Sequence, residues 1–252
     1  MQFSYLNNIE IFEFFIEYKM ILHFCEDIEK DFTNLNPEES LHTIKVLRKK
    51  IGDKLFIING KGMFCEAEII NDNQKRCEIK ILNRIFKENL RSYKIHIAIA
   101  PTKNIERFEW FVEKAVEIGI DEITPLLTTH SERKILKEER IEKIILSTIK
   151  QAQEFNMPVL NPMIEFNKFI TNKFTGQKFI AHCYNDEKKI LKDVYQKNND
   201  VVILIGPEGD FSEKEVNLAI KNLYNTVSLG NTRLRTETAG IVACNTISII
   251  NQ

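Results

Sequence analysis

The chain has 252 residues, enough for one to two domains at about 150 residues each. Hydrophobic side chains make up 43% and charged ones 28%, which argues against a wholly disordered chain, and 9 glycines with 6 prolines exclude collagen-like or Pro/Gly-rich low-complexity sequence. Lys and Arg number 35 against 36 Asp and Glu, so any nucleic-acid contact must come from a local basic patch rather than from bulk charge.

Residues 1–19 form an aromatic, acidic extension in which Ile9, Phe12 and Ile16 have the spacing of an amphipathic helix. Glu10, Glu13 and Glu17, without a basic start and an apolar run, do not read as a signal peptide. Nothing approaches the ~18 uninterrupted apolar residues of a membrane span, so a soluble, cytoplasmic protein is expected. Met20–Phe24 opens a fresh strand, and Pro37-Glu38-Glu39-Ser40 suits a first helical turn. Lys54–Asn59, Met63–Ile70 and Arg76–Phe86 are β-rich, with Gly60-Lys61-Gly62 as a hairpin turn. Lys45, Arg48, Lys49, Lys50 and Lys54 bunch together, as either a solvated helix end or an RNA-facing patch.

After Arg91 strands and helices alternate. Strands are expected at Ile95–Ala100, Glu122–Leu127, Lys178–Cys183, Val201–Ile205 and Thr226–Leu229. Helices are expected at Glu106–Ile118, with Gly119 as C-cap, and at Glu138–Phe155, Glu187–Gln196 and Thr236–Ile250. A further helix starts at Ser212, where Glu215 completes a capping box. The alternation implies a mostly parallel sheet covered on both faces, preceded by a small β domain. The five cysteines are scattered without a C-x-x-C pair, which disfavours a disulfide framework or zinc site and fits a reducing compartment. The histidines lack metal-ligand spacing, so no metal is expected.

The common nucleotide, protease and hydrolase motifs are missing. Two loops stand out instead. Ile205-Gly206-Pro207-Glu208-Gly209-Asp210-Phe211-Ser212 follows the most apolar strand, at the carboxyl end where open α/β sheets bind ligands. Leu229–Gly240 follows the next strand and carries Arg233, Arg235 and Glu237. Each alone reads equally as a βα turn or as helix-capping charge; two such loops from neighbouring strands can build one pocket.

The strings Gly-Pro-Glu-Gly-Asp-Phe-Ser (206–212) and Leu-Gly…Leu-Arg-Thr-Glu-Thr-Ala (229–239) resemble the C-terminal signatures of the small-subunit (16S) ribosomal RNA uridine N3-methyltransferases of the SPOUT superfamily. His42…Val46-Leu47-Arg48 and Lys114-Ala115-Val116-Glu117-Ile118-Gly119 extend the resemblance over roughly residues 20–250. The chain departs from the family at Asp210, where a glycine is usual, and at Gln151–Pro158, which lacks the usual Ser and Arg.

The resemblance implies an α/β protein with a PUA-like β-barrel RNA-binding domain at 20–90 and, at 91–252, a knotted α/β domain whose last helix threads a trefoil, a rare exception to the rule against knots. It implies S-adenosylmethionine as cofactor, 16S ribosomal RNA or the small subunit as partner, and a homodimer. It assigns the cofactor to Ile205, Gly206, Pro207, Glu208 and Gly209 of the first loop, and to Leu229, Gly230, Leu234, Thr238 and Ala239 of the second. His42, Lys45, Arg48, Lys49 and Lys103 are the expected RNA contacts, and Arg235 and Glu237 the catalytic candidates. Arg233 is expected on the surface. The alternatives are a ribose 2′-O-methyltransferase on the same fold and a non-catalytic RNA-binding protein.

Overall fold

The computed structural model describes residues 20–87, 91–184 and 187–252; the extension at 1–19 lies outside the described residues. Contacts divide the chain into two units, Met1–Leu90 with Leu146–Met157, and Arg91–Ile145 with Pro158–Gln252.

The first unit contains β1 (Leu22–Phe24), β2 (Phe32–Asn34), α1 (Pro37–Leu41), a π-helical turn (His42–Val46), β3 (Lys54–Ile58), β4 (Met63–Asn71) and β5 (Glu78–Phe86). The ladder runs β1-β3-β4-β5-β2, parallel only between β1 and β3. The β3–β4 hairpin turns at Gly60 and Gly62, both at positive φ, while Asn59 Oδ1 accepts the Lys61 and Met63 amides. Alternation along β4 sends Cys65, Ala67 and Ile69 inward against Ile57, Ile79 and Leu35. Register shifts in β4 bend the sheet, and the Cys25 thiol after β1 lies 3.9 Å from Thr33 Oγ1 on β2, so the two edge strands approach in a barrel-like closure. Burial pushes the thiol of Cys65 up to about 12 and that of Cys77 up to about 11; both pack as small apolar groups. Gln153–Met157 also belong to this unit. Phe155 is 1% exposed and stacks on Phe64 at 5.3 Å, and Met157 N–H donates to Gly60 O.

The second unit contains β6 (Ile95–Ile99), α2 (Ile105–Ile118), β7 (Glu122–Leu127), β8 (Val159–Leu160), β9 (Ile164–Glu165), α4 (Phe166–Phe169) and β10 (Gln177–Ala181). It continues with β11 (Lys189–Ile190), α5 (Leu191–Val194), β12 (Val201–Ile205), α6 (Glu213–Lys221), β13 (Asn225–Ser228) and α7 (Thr236–Asn251). The helix α3 (Glu138–Ala152) is shared, since its residues from Leu146 group with the first unit. All strand pairs in this sheet are parallel, in the order β11-β13-β10-β12-β6-β7-β8 with β9 on β7. β6 and β12 are buried on both faces, as a parallel sheet covered by helices requires. Ala98, Val202 and Leu204 pack on Phe166 and Phe211 on one face. On the other, Ile99 meets Gly240 of α7 and Phe111 of α2.

Caps fall where the residue types place them. Gly119 ends α2 at φ 96°, and Ser212 and Glu215 close a reciprocal capping box on α6. The helix expected over 187–196 shrinks to Leu191–Val194, because Lys189 and Ile190 pair with Val227 and Ser228 as an edge strand and Tyr195 is extended. The last helix returns from β13 to pack on α2, β6 and β12. Its final turn meets the β10–β12 connection, where Asn198 N–H donates to Asn251 Oδ1 at 2.7 Å and Asn251 Nδ2 to Tyr195 Oη at 3.0 Å. The parallel α/β architecture expected of this unit is present, with the last helix packed against the sheet.

Candidate functional site

The carboxyl ends of β10, β12 and β13 are neighbours in the sheet, and the loops leaving them enclose a cleft of about 780 Å³. Ile205, Gly206, Pro207 and Glu208 line it from the first loop. Leu229, Gly230, Leu234 and Ala239 line it from the second, and Arg233 and Arg235 both reach it. Arg233, expected on the surface, is indeed exposed, yet it shares this cleft. Two of the expected cofactor residues do not line it. Gly209 backs onto His130, and Thr238 faces a neighbouring cleft. The third wall escaped sequence reasoning: Ala181 ends β10, which sits between β12 and β13, and His182, Cys183, Tyr184 and Lys188 follow it. Only the strand order could have revealed it.

The first loop is held from two sides. His130 Nδ1 lies 3.1 Å from Gly209 O and 3.0 Å from Asp210 O; both are acceptors, so this nitrogen carries the proton. Lys103 N–H donates to Glu208 Oε1 at 3.0 Å, and Arg133 Nε donates to Thr102 O at 3.0 Å. Lys103, an expected RNA contact, thus sits against the loop, with its ammonium 2.8 Å from Glu132. Across the cleft, Cys183 N–H donates to Asp210 Oδ2 at 2.7 Å, and Tyr184 Oη–H to Phe211 O at 2.7 Å. Burial, then the Asp210 charge, raises the Cys183 thiol above its ordinary value, which keeps it protonated at neutral pH.

Asp210 stands where the family resemblance expects glycine, and its φ is 65°. Aspartate tolerates this left-handed backbone better than most residues, and here its carboxylate also accepts the Phe211 amide at 2.8 Å. Alanine at 210 keeps the strain and loses both anchors, whereas glycine relieves the strain. We expect Asp210→Ala to weaken cofactor binding about tenfold, near the worth of one hydrogen bond, and Asp210→Gly to weaken it less. Calorimetric titration with S-adenosylmethionine checks the order; equal affinity in the alanine variant and the parent would show the anchors to be idle.

A Cβ on Gly206 would come within 3.1 Å of the Phe211 ring, which is fully buried. A larger residue at 206 therefore disturbs the core as well as the cleft. At Gly230, φ is 142° and a Cβ would meet nothing within 4 Å, so this glycine serves its backbone angle and leaves the cleft wall open.

Arg235 is the N-cap residue of α7, exposed, with no hydrogen bond or ion pair recorded for its guanidinium among the described residues. It also lines the neighbouring cleft of about 600 Å³, with Arg107, Trp110 and Glu237. Glu237 is 7% exposed, and its ion-pair neighbour is Arg107, 3.9 Å away, not Arg235. Its Oε2 is buried without a hydrogen-bond partner among the described residues.

On the first unit, the π-helical turn brings His42 and Lys45 together with Arg48, which adopts φ 57°, and Lys49. Behind it lies a buried network. Lys150 Nζ donates to Glu39 Oε1 at 2.6 Å, and His23 Nδ1 lies 3.3 Å from Glu39 Oε2 and 3.1 Å from Thr43 Oγ1. Thr43 spends its only hydrogen on Glu39 O, so His23 Nδ1–H must be the donor to it. Burial alone would raise the Glu39 carboxyl, but hydrogen bonds from His23 and Lys150, with their charge, bring it below the ordinary value. His23, Glu39 and His42 also group within 4.8 Å, a cluster that sequence spacing conceals.

The family described as RNA methyltransferase domain matches residues 88–248, and the one described as RNA methyltransferase PUA domain matches residues 35–82. The chain is 32% identical to the ribosomal RNA small subunit methyltransferase E of Buchnera aphidicola from Acyrthosiphon pisum, over 84% of this chain and 85% of that protein. A "probable rRNA-methyltransferase" of Porphyromonas gingivalis superposes with a TM-score of 0.85 at 40% identity, covering 92% of this chain and 98% of that one. A Legionella pneumophila methyltransferase solved with bound SAM gives a TM-score of 0.84 at 28% identity, covering 93% and 99%.

Proposed function

Since the chain belongs to the ribosomal RNA small subunit methyltransferase E family, we propose that it methylates N3 of a uridine in 16S ribosomal RNA with S-adenosylmethionine as methyl donor. The observation that carries the reading is the paired-loop cleft with the Arg235 guanidinium, unpaired among the described residues, at its mouth. The residue types fit the cofactor. Ile205, Val227, Leu229 and Leu234 offer apolar surface to an adenine, and Arg233 offers charge to a carboxylate. When bound, S-adenosylmethionine supplies an electrophilic methyl group.

Uridine N3 is protonated and poorly nucleophilic at neutral pH. The second cleft, lined by Arg235, Glu237 and Trp110, suits an unstacked uracil. Arg235 stabilises the negative charge that develops on the ring as N3 loses its proton. Glu237, which lines the same cleft, is our candidate to accept that proton. His42, Lys45, Arg48, Lys49 and Lys103 are the proposed contacts to the RNA backbone. The test is methyl transfer to unmodified small subunits followed by nucleoside mass analysis. 3-Methyluridine supports the reading, a 2′-O-methyl product favours ribose methylation, and no product favours a binding protein.

We further propose a homodimer working in the cytoplasm, where ribosomal subunits are assembled. Among the described residues no helix is long and apolar enough to cross a membrane. Trp110 on α2 is 43% exposed and Ile249 on α7 is 59% exposed, apolar surface that a second copy can cover. Light scattering should give about twice 29.5 kDa. A stable mass near 29.5 kDa at micromolar concentration would contradict the dimer.

A further inference from the structure

The parallel sheet carries a second cavity, of about 600 Å³, beside the amino-terminal halves of β6, β7 and β12, away from the carboxyl ends that build the first cleft. That volume falls within the usual range for small-ligand sites. Much of its lining is apolar or aromatic, with Phe169, Phe174, Tyr224 and Val202. Its polar end is set by the sheet register, in which His96 lies opposite Glu122, and Thr124 follows two residues on along β7.

The hydrogen bonds at that end leave a one-sided chemistry. A carboxylate only accepts, so the Asn161 amide nitrogen must face Glu122, to whose Oε1 it donates at 2.5 Å. Its other hydrogen goes to Thr124 Oγ1 at 2.7 Å, and Thr124 Oγ1 is 2.7 Å from His96 Nε2. Asn161 has then spent both its donors. What remains is its own carbonyl oxygen and the second oxygen of Glu122, neither of which takes a side-chain hydrogen bond among the described residues. His96 is held edge-on to Phe169 at 5.7 Å, and its burial lowers its pKa below the ordinary histidine value, so it stays neutral. At this end the free side-chain atoms are acceptors, which select a flat ring edge that brings its own donors, while Asn172, Lys173 and Tyr224 line the cavity beyond it.

We propose that this cavity binds a nucleobase bearing an exocyclic amino group, with the ring against Phe169 and Phe174 and the amino hydrogens donated to Glu122 and Asn161. The base comes either from the substrate RNA or from a free nucleoside. The proposal stands apart from the identity of the methylated atom. Uracil, which has a single ring N–H between two carbonyls, offers Glu122 and Asn161 one hydrogen where an amino group offers two.

The probe is adenosine, titrated calorimetrically into the full chain saturated with S-adenosylhomocysteine so that the cofactor cleft is filled. Inosine, which replaces the amino group with oxygen, is the control. Adenosine should bind saturably and at least tenfold more tightly than inosine. Glu122→Gln should weaken adenosine at least tenfold and leave S-adenosylhomocysteine affinity unchanged. Phe174→Ala, at the wall, gives a second variant should the first fail to fold. Absence of saturable adenosine binding, or equal binding of inosine, overturns the proposal even if methylation of ribosomal RNA is intact. The source is read from kinetics on unmodified small subunits. A severalfold rise in the KM for RNA in Glu122→Gln assigns the base to the substrate. An unchanged KM with adenosine binding lost assigns it to a free nucleoside.

Discussion

Arg235→Ala should lower the single-turnover methylation rate ~10²–10³-fold while leaving S-adenosylmethionine affinity within a few fold. The guanidinium has no hydrogen-bond or ion-pair partner among the described residues and lines both the paired-loop cleft and the cleft beside it, so its charge is available to a ligand. If it stabilises the uracil as N3 loses its proton, that interaction exists fully only in the transition state, and its loss falls on the rate at saturating RNA and cofactor. If Arg235 merely grips a phosphate, the KM for RNA rises and the saturated rate is unchanged. A third role, as a structural partner of Glu237, is removed by the geometry, since Glu237 faces Arg107. A saturated single-turnover rate within about threefold of the parent would end the catalytic assignment.

Much of the α/β unit was legible because its signals are local. The apolar run Val201–Ile205, the Ser212–Glu215 capping box and Gly119 after an amphipathic stretch each express backbone physics within a few residues, and each appears as expected. What stayed hidden depends on non-local pairing. The stretch at 187–196 carries a helical pattern, yet an unpaired edge of β13 was available and took Lys189 and Ile190. The β10 wall of the cleft is invisible until the order β13-β10-β12 is known. The same holds for the division of α3, whose last turns group with the β-rich unit, where Phe155 just beyond the helix stacks on Phe64. The left-handed backbone of Asp210 explains a departure that the sequence shows only as an unexpected residue.

The His23–Glu39–Lys150 network is the other feature that distance in sequence concealed, and it yields the largest expected effect on stability. Glu39 is 4% exposed and Lys150 Nζ is 2.6 Å from its carboxylate. In Lys150→Met the carboxylate keeps only the His23 donor and stays buried with its charge incompletely matched. Breaking a buried pair in this way costs about 3 kcal/mol, the low end of the usual range because His23 remains. For a chain of this size that corresponds to a fall in Tm of about 6–12 °C at neutral pH. The pH dependence separates lost charge pairing from lost packing. In the parent the folded Glu39 carboxyl lies below its ordinary value of about 4.3, so its stabilising contribution is full above that pH and fades as pH falls through the lower folded value. Without Lys150 the burial penalty dominates and the folded value rises, so the variant relieves its penalty by taking up a proton. The gap in Tm between variant and parent should therefore narrow as pH falls toward 4.5, and adding Glu39→Gln to Lys150→Met should restore most of the loss at pH 7. A gap that is the same at both pH values, unrelieved by Glu39→Gln, would show that Lys150 acts through the packing of its aliphatic stem rather than its charge.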